Sequence, residues 1–222
     1  MAYPVYVKSY PAPAFNQKEI LRYAGVKQST AELTALVLEC IQELDGILSY
    51  KVCFAEYPVK VLEDSIDLSF AVVRSKDLAK NLKDCKRCIL FSATVGIGID
   101  RLIAKYNVLS PTKALIFQAI GAERIESLCE LFTDEIKEKY TTVRPRFSAG
   151  YGDLPLEMQK DIFTALDCSK KIGVTLNESL LMSPSKSVTA IIGIATSNDC
   201  IKQKHCLACE KTDCTFRSED GY

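Results

Sequence analysis

The sequence has no excess of charge of either sign, and this balance argues against one class of partner. Lysine plus arginine and aspartate plus glutamate each number 28 among the 222 residues. Nothing in such a balance attracts a polyanion over a long distance. A nucleic acid is therefore not an expected partner.

Long apolar runs are also missing. A membrane-spanning helix needs about 18 or more apolar residues in succession, and no segment of the sequence provides them. The opening residues, MAYPVYVK, lack the basic start and the continuous apolar stretch of a signal peptide. We therefore expect no membrane partner and a cytoplasmic location.

The sequence does contain enough apolar side chains for a sizeable core. Apolar residues make up 48% and charged residues 25%, the balance of an ordinary globular protein. With no internal repeat and no low-complexity linker, the length fits one domain with a small appendage. We predict a domain over residues 1–196 and a cysteine-rich tail over residues 197–222.

Helical and strand patterns are grouped along the chain rather than strictly alternating. Helical spacing covers residues 30–45, with Ser29 and Glu32 as a capping box, and residues 110–140. Strand-like composition covers residues 48–73 and the apolar run 88–95. Grouping of this kind favours an α+β fold with a twisted, largely antiparallel sheet and packed helices.

Six of the ten cysteines lie ahead of the tail. Four are spread singly among apolar residues, which is typical of reduced, buried thiols. A C-x2-C pair opens the apolar run at residue 88, and we interpret it as structural because that run is expected to be buried. These residues are Cys40, Cys53, Cys129 and Cys168, and the pair is Cys85 with Cys88.

The tail contains four cysteines in the spacing C-x5-C-x2-C-x4-C. Thiolates two residues apart on a tight turn can hold one ion, and a second pair nearby completes four ligands. Zinc and an iron–sulfur cluster both fit four cysteines, and a tail with free thiols is the alternative. His205, the only histidine, would be a ligand in place of the first cysteine or, more simply, a solvated residue. The predicted ligands are Cys200, Cys206, Cys209 and Cys214.

Residues 144–153, RPRFSAGYGD, form the segment richest in chemical features. Glycine permits a close approach of the backbone, arginine offers a two-pronged donor to a carboxylate, and an aromatic face attracts a cation. A surface turn with solvated arginines is the simpler interpretation. A cradle for a small molecule is the functional one.

This segment resembles the activation domain of vitamin B12-dependent methionine synthase. In that family an RPAPGYP loop precedes a helix, and a TES strand, a Met-x-Pro turn and a Ser-Val strand follow. Here the corresponding stretches are 146–151 (RFSAGY), 177–179 (NES), 182–184 (MSP) and 187–188 (SV). Their order and spacing agree over roughly residues 110–195. The stretch ATVGIG followed by DR, at residues 93–101, is similar to short stand-alone relatives.

The resemblance implies binding of S-adenosylmethionine, whose methyl group passes to an oxidised, inactive cobalamin after a one-electron reduction. It implies that Arg146 binds the carboxylate of the methionine moiety and that Glu130 takes its ammonium group. It also implies that Gly150 and the backbone of Ser148 lie along the ligand, with Tyr151 against it.

The sequence also departs from the family pattern. No counterpart is found for an acidic residue early in the family's domain. An aromatic pair after the final strand is replaced by TSNDC at residues 196–200. The homocysteine, folate and cobalamin modules of methionine synthase are absent, so this chain is not expected to make methionine alone. These differences predict either a weaker affinity for the ligand or a site that is closed in a different way.

The resemblance favours an accessory protein that acts in trans on a cobalamin-binding methionine synthase or related corrinoid protein. Cobalamin would be carried by that partner, and the electron donor would be a flavodoxin or a ferredoxin. A cluster in the tail could itself pass the electron, whereas zinc would be structural. The alternative is an iron–sulfur or zinc module for interaction or electron transfer that keeps the fold without the ligand. A conventional methyltransferase is disfavoured because no glycine-rich strand-to-helix turn in a parallel βαβ unit is present.

Overall fold

A four-stranded antiparallel sheet forms the middle of the protein in the computed structural model, which describes residues 3–195. Two short ribbons accompany it, one of three strands and one of two. In chain order the strands are β1 (Tyr6–Tyr10), β2 (Tyr50–Pro58), β3 (Lys60–Val61), β4 (Ile66–Asp67), β5 (Val72–Val73), β6 (Cys85–Thr94), β7 (Thr175–Leu176), β8 (Met182–Ser183) and β9 (Ser187–Ala195).

The apolar run of residues 88–95, predicted as a buried strand, lies in β6, one of the two inner strands of the large sheet. The order in the large sheet is β1-β2-β6-β9, with Phe54 of β2 opposite Phe91 of β6, and Leu90 of β6 opposite Ile191 of β9. All but two residues of β6 are buried. A strand covered on both faces is near-continuously apolar, which explains the sequence of this segment.

Seven helices lie within residues 3–195. Those predicted from helical spacing begin and end within a few residues of their expected limits. In chain order the helices are α1 (Gln17–Tyr23), α2 (Ala31–Glu43), α3 (Lys76–Asn81), α4 (Gly98–Leu109), α5 (Pro111–Lys139), α6 (Met158–Leu166) and α7 (Cys168–Ile172).

Helix capping follows the sequence except at α2. Asn16 and Ser75 accept backbone N–H groups at the starts of α1 and α3, as short polar side chains do at a helix start. At α2 the cap is Thr30, whose hydroxyl accepts from the N–H of Leu33. The expected cap, Ser29, contacts the hydroxyl of Thr34 at 2.9 Å instead. The predicted capping box of Ser29 and Glu32 is therefore wrong: the cap lies one residue later, where Leu33 takes the place of the reciprocal glutamate.

Two apolar cores lie on opposite faces of the sheet. One joins the sheet to α1, α2, α4 and α5. In it, Phe132 of α5 lies 4.9 Å from the ring of Phe91 and 5.2 Å from that of Phe54. The other core joins the sheet to α3, α6, α7 and the β3–β5 ribbon. The all-antiparallel sheet with packed helices confirms the predicted α+β class, and the helices cover both of its faces.

The chain returns from α5 to the sheet in an irregular segment over residues 142–147. The N–H groups of Arg144 and Phe147 donate to β9 at 2.8 and 2.9 Å, and the N–H of Ile191 donates back to Phe147 at 2.8 Å. This pairing covers the outer edge of β9 and fixes the position of Arg146 beside α5.

No helix of the described residues is long and apolar enough to cross a membrane.

Candidate functional site

An open groove of about 80 Å³ lies between α1, α5 and the returning segment. All of its lining residues carry polar or charged groups, and four of them are glutamates. Its lining residues are Asn16, Glu19, Tyr23, Glu123, Glu126, Ser127, Glu130 and Arg146.

Arg146 provides the cationic group of the groove. Its Nη2 lies 3.1 Å from Oε2 of Glu126, and its side chain is 24% exposed. The partly buried guanidinium is therefore held in one orientation. Neighbouring Cys129 and Glu126 favour the charged form and raise the pKa of Arg146 against the opposing effect of burial.

Glu126 and Glu130 are four residues apart on α5, so they lie on the same face of the helix. The Glu130 carboxylate makes no hydrogen bond or ion pair of its own within residues 3–195. Partial burial in the groove raises its pKa, and the nearby Arg146 opposes that rise. Two carboxylates and one guanidinium thus meet at this end of the groove.

Tyr23 adds an aromatic ring to the same groove. The guanidinium of Arg22 lies 4.3 Å from the centre of this ring. Burial raises the pKa of Tyr23, and the adjacent Glu126 raises it further. The side chain is therefore a neutral phenol in the lining of the groove.

A buried ion pair supports the floor of the groove. Glu123 and Arg124 of α5 are 2% and 0% exposed, and their closest approach is 2.5 Å. The guanidinium also donates to the carbonyl oxygens of Pro13 and Ala14 at 2.6 and 2.8 Å. Glu123 accepts from the N–H of Asn16 at 3.2 Å. These contacts hold the start of α1 against α5 and so shape the groove.

The remaining predicted ligand residues lie on the loop that follows Arg146, and they do not line this groove. The N–H of Tyr151 donates to Ser148 at 3.1 Å, and the N–H of Gly150 donates to Leu154 at 3.0 Å. Gly150 has φ of +84°, a left-handed conformation that favours glycine. The side chain of Tyr151 is 69% exposed.

Asp153 fastens the far end of this loop to α3. Its carboxylate accepts from the Ser75 hydroxyl at 2.5 Å and from the N–H groups of Lys76 and Asp77 at 2.7 and 3.2 Å. These donors lower the pKa of Asp153. The loop is therefore fixed at both ends, by β9 on one side and by α3 on the other.

Comparison with known proteins tests the resemblance. Residues 126–200 match the family model described as vitamin B12 dependent methionine synthase, activation domain. The resemblance to the activation domain is confirmed. The matched segment contains Glu126, Glu130 and the whole loop from Arg146 to Asp153.

The fold of the activation domain extends over most of the chain. The chain is similar to a crystal structure of the MetH reactivation domain bound to AdoHcy, with a TM-score of 0.64 and 15% sequence identity. The likeness covers 87% of this chain and 79% of the other. It shows the fold, including the front half where the sequence motifs are weakest. No curated protein matches the chain.

The structure brings two of the predicted ligand residues, Arg146 and Glu130, into one groove. Sequence reasoning missed Glu126, although its four-residue spacing from Glu130 was a usable signal. It also missed Asn16, Glu19 and Tyr23, because no pattern in the sequence reports a contact between residues more than 100 positions apart.

The six cysteines of the described residues are free and buried, as expected. Within residues 3–195 no group of three or more histidine, cysteine, aspartate or glutamate side chains could hold a metal ion. The predicted ligands Cys200, Cys206, Cys209 and Cys214 lie outside the described residues.

Proposed function

We propose that this protein binds S-adenosylmethionine in the groove beside Arg146. It would thereby support the reductive methylation of a cobalamin carried by a separate methionine synthase or related corrinoid protein. The observation that carries the proposal is the grouping of Arg146, Glu126 and Glu130 inside the segment that matches the activation-domain family.

The amino-acid end of the ligand fits this charge arrangement. Glu126 contacts Nη2 of Arg146, so the guanidinium keeps further N–H donors for the ligand carboxylate. The ligand ammonium then meets Glu126 and Glu130, which neutralise it from the adjacent helical turn. A zwitterion placed in this way pairs each of its own two charges with an opposite charge of the groove.

The sulfonium end also fits. Glu19 and Glu123 are paired with Arg22 and Arg124, but Glu126 and Glu130 share the single guanidinium of Arg146. The excess negative charge favours a cationic sulfonium over the neutral thioether that remains after methyl transfer. The ring of Tyr23 offers an aromatic surface for the sulfonium or the flat adenine. Neither the carboxylates nor the Tyr23 ring depends on the aromatic pair of the family, which this sequence replaces.

The loop residues complete the proposal. The N–H groups of Gly150 and Tyr151 are used within the turn, so the loop would meet a ligand through carbonyl oxygens and through the Tyr151 ring. The exposed Tyr151 would cover the ligand from the solvent side, with the Ser148 and Gly150 backbone alongside.

The chemistry requires groups that residues 3–195 do not supply. S-adenosylmethionine supplies the methyl group, and the partner's cobalamin accepts it after a one-electron reduction. We assign that electron to a flavodoxin or ferredoxin donor, or to an iron–sulfur cluster at the tail cysteines. The described residues bind and orient the methyl donor, and they act in trans.

Calorimetry with S-adenosylmethionine tests the proposal. The wild-type protein should bind the ligand, and Arg146→Ala should weaken binding about tenfold to a hundredfold, the effect of losing a hydrogen bond to a charged group. The exposed Arg74, replaced as Arg74→Ala, is the matched control and should leave binding unchanged. No binding by the wild type at millimolar ligand would contradict the proposal.

A further inference from the structure

A second concave site lies on the opposite side of the sheet from the groove. It is open to solvent, has a volume of about 290 Å³ and lies between the end of β2, the turn after β4 and the outer face of α6. We call it the aromatic trough. Its lining residues are Tyr3, Tyr57, Ser69, Phe70, Asp161, Thr164 and Ala165.

Three aromatic rings shape the trough. The ring of Tyr57 lies 4.7 Å from that of Tyr3 and 4.9 Å from that of Phe70, at angles of 55° and 61°. Tyr57 is 4% exposed and forms the floor, and the two partly exposed rings rise from it at an angle. No lysine or arginine among residues 3–195 lies over these rings.

The hydroxyl hydrogens of three lining side chains are directed away from a ligand. Tyr57 donates to the carbonyl of Ala165 at 3.2 Å, and Ser69 donates to the carbonyl of Pro58 at 3.2 Å. Thr164 donates to the carbonyl of Lys160 at 2.9 Å within α6. What these three side chains offer a ligand is acceptor lone pairs and apolar surface. This arrangement does not suit an anion.

A carboxylate completes the site. Asp161 projects from the exposed side of α6 and has no hydrogen bond or ion pair with another described residue. Aromatic faces, acceptor oxygens and one uncompensated carboxylate together complement a cation. The apolar share of the lining favours a cation whose charge is surrounded by methyl groups, because such a cation sheds its water more easily than a bare ammonium.

We infer that the aromatic trough binds a small methylated ammonium ion. The ammonium group lies between the partly exposed rings of Tyr3 and Phe70, which pack on the buried Tyr57, with Asp161 at the open end. This site is separate from the groove proposed for S-adenosylmethionine, and each can be present without the other.

The test is a ¹H–¹⁵N NMR titration of the full chain with choline and with its uncharged isostere, in which carbon replaces the nitrogen. Choline should shift the amide signals of Tyr57, Phe70 and Asp161 in a saturable manner. It should bind about tenfold more tightly than the isostere, because the attraction to the rings requires the charge. Equal binding of both compounds, or shifts elsewhere in the protein, would overturn the inference.

Substitutions in the aromatic trough test which side chains contribute to choline binding. Phe70→Leu should weaken choline binding about fivefold by removing one ring, and Asp161→Asn should weaken it about threefold by removing an exposed charge. The exposed Asp45, replaced as Asp45→Asn, is the matched control, and Arg146→Ala should also leave choline binding unchanged. Unaltered binding by both trough variants would place choline somewhere else and reject the site.

Discussion

Glu126 holds the guanidinium of Arg146 at 3.1 Å before any ligand is present. We expect Glu126→Gln to weaken binding of S-adenosylmethionine about fivefold, the effect of one partly exposed charge. The loss should be smaller for S-adenosylhomocysteine, which lacks the sulfonium charge. Calorimetry with both ligands measures the ratio, and exposed Glu32, replaced as Glu32→Gln, is the control. The same loss of affinity for both ligands would show that the Glu126 carboxylate does not interact with the sulfonium charge.

Glu130 gives the groove a pH dependence. Partial burial raises its pKa above the usual 4.5, and only the ionised form attracts the ligand ammonium. Affinity should therefore begin to fall at a pH above 4.5 as the solution is acidified, and the Glu130→Gln variant should show a flatter profile. Calorimetric titrations between neutral and mildly acidic pH test this. Parallel profiles for the two proteins would remove Glu130 from the site.

The same pKa shift separates binding from folding. Because the folded protein holds the Glu130 proton more tightly than the unfolded chain does, ionisation of this group opposes folding as the pH rises. The Glu130→Gln variant should therefore be at least as stable as the wild type at neutral pH. A weaker ligand affinity in that variant cannot then be ascribed to unfolding.

At the scale of elements, the loop from Arg146 to Asp153 depends on its attachment to α3. The Asp153 carboxylate accepts three hydrogen bonds there, and its pKa is lowered as a result. This contribution to stability is present above the usual pKa of 3.8 and is lost as the pH falls through the lowered value. Asp153→Asn should reduce Tm at neutral pH, and the difference should shrink in acid.

Thermal unfolding of the wild type and Asp153→Asn across pH checks that expectation. The Asp45→Asn variant is again the matched control, since Asp45 is exposed and lies outside this network. A constant Tm difference at all pH values would mean that the ionised carboxylate is not what anchors the loop.

The ion pair of Glu123 and Arg124 on α5 also binds the backbone of residues 13–16, ahead of α1. Arg124→Met should lower the free energy of unfolding by about 3–5 kcal/mol, because it leaves a buried carboxylate without its partner. The double variant Glu123→Gln with Arg124→Met should recover part of this loss. Urea denaturation measures both. A single variant as stable as the wild type would contradict the structural role of the pair.

The sequence predicts elements better than it predicts their neighbours. Residues 111–139 carry a helical stripe and a proline at the helix start, so α5 could be placed from local signals alone. The pairing of the edge strand β1 with β2 and of the segment 142–147 with β9 could not, because each joins parts of the chain that are distant in sequence. The family resemblance identified Arg146 and Glu130. It did not identify the residues that line the groove from the α1 side, because their contacts with α5 also join distant parts of the chain.

At the scale of the whole molecule, the tail cysteines remain a prediction. If they hold an iron–sulfur cluster, anaerobically purified protein should contain iron and inorganic sulfide, and Cys206→Ser with Cys209→Ser should lose both. Binding of S-adenosylmethionine should persist, since both apolar cores lie within residues 3–195. Metal and sulfide analysis decides the matter. Zinc without sulfide would make the tail structural, and no metal would reject the site.

The central claim concerns where the methyl donor lies, and a structure with bound S-adenosylmethionine tests it most directly. A crystal of the full chain grown anaerobically with the ligand should show the ligand carboxylate within hydrogen-bond distance of Arg146. Its ammonium should lie against Glu126 and Glu130. A ligand bound away from Arg146, or a groove that stays empty at saturating ligand, would contradict the account.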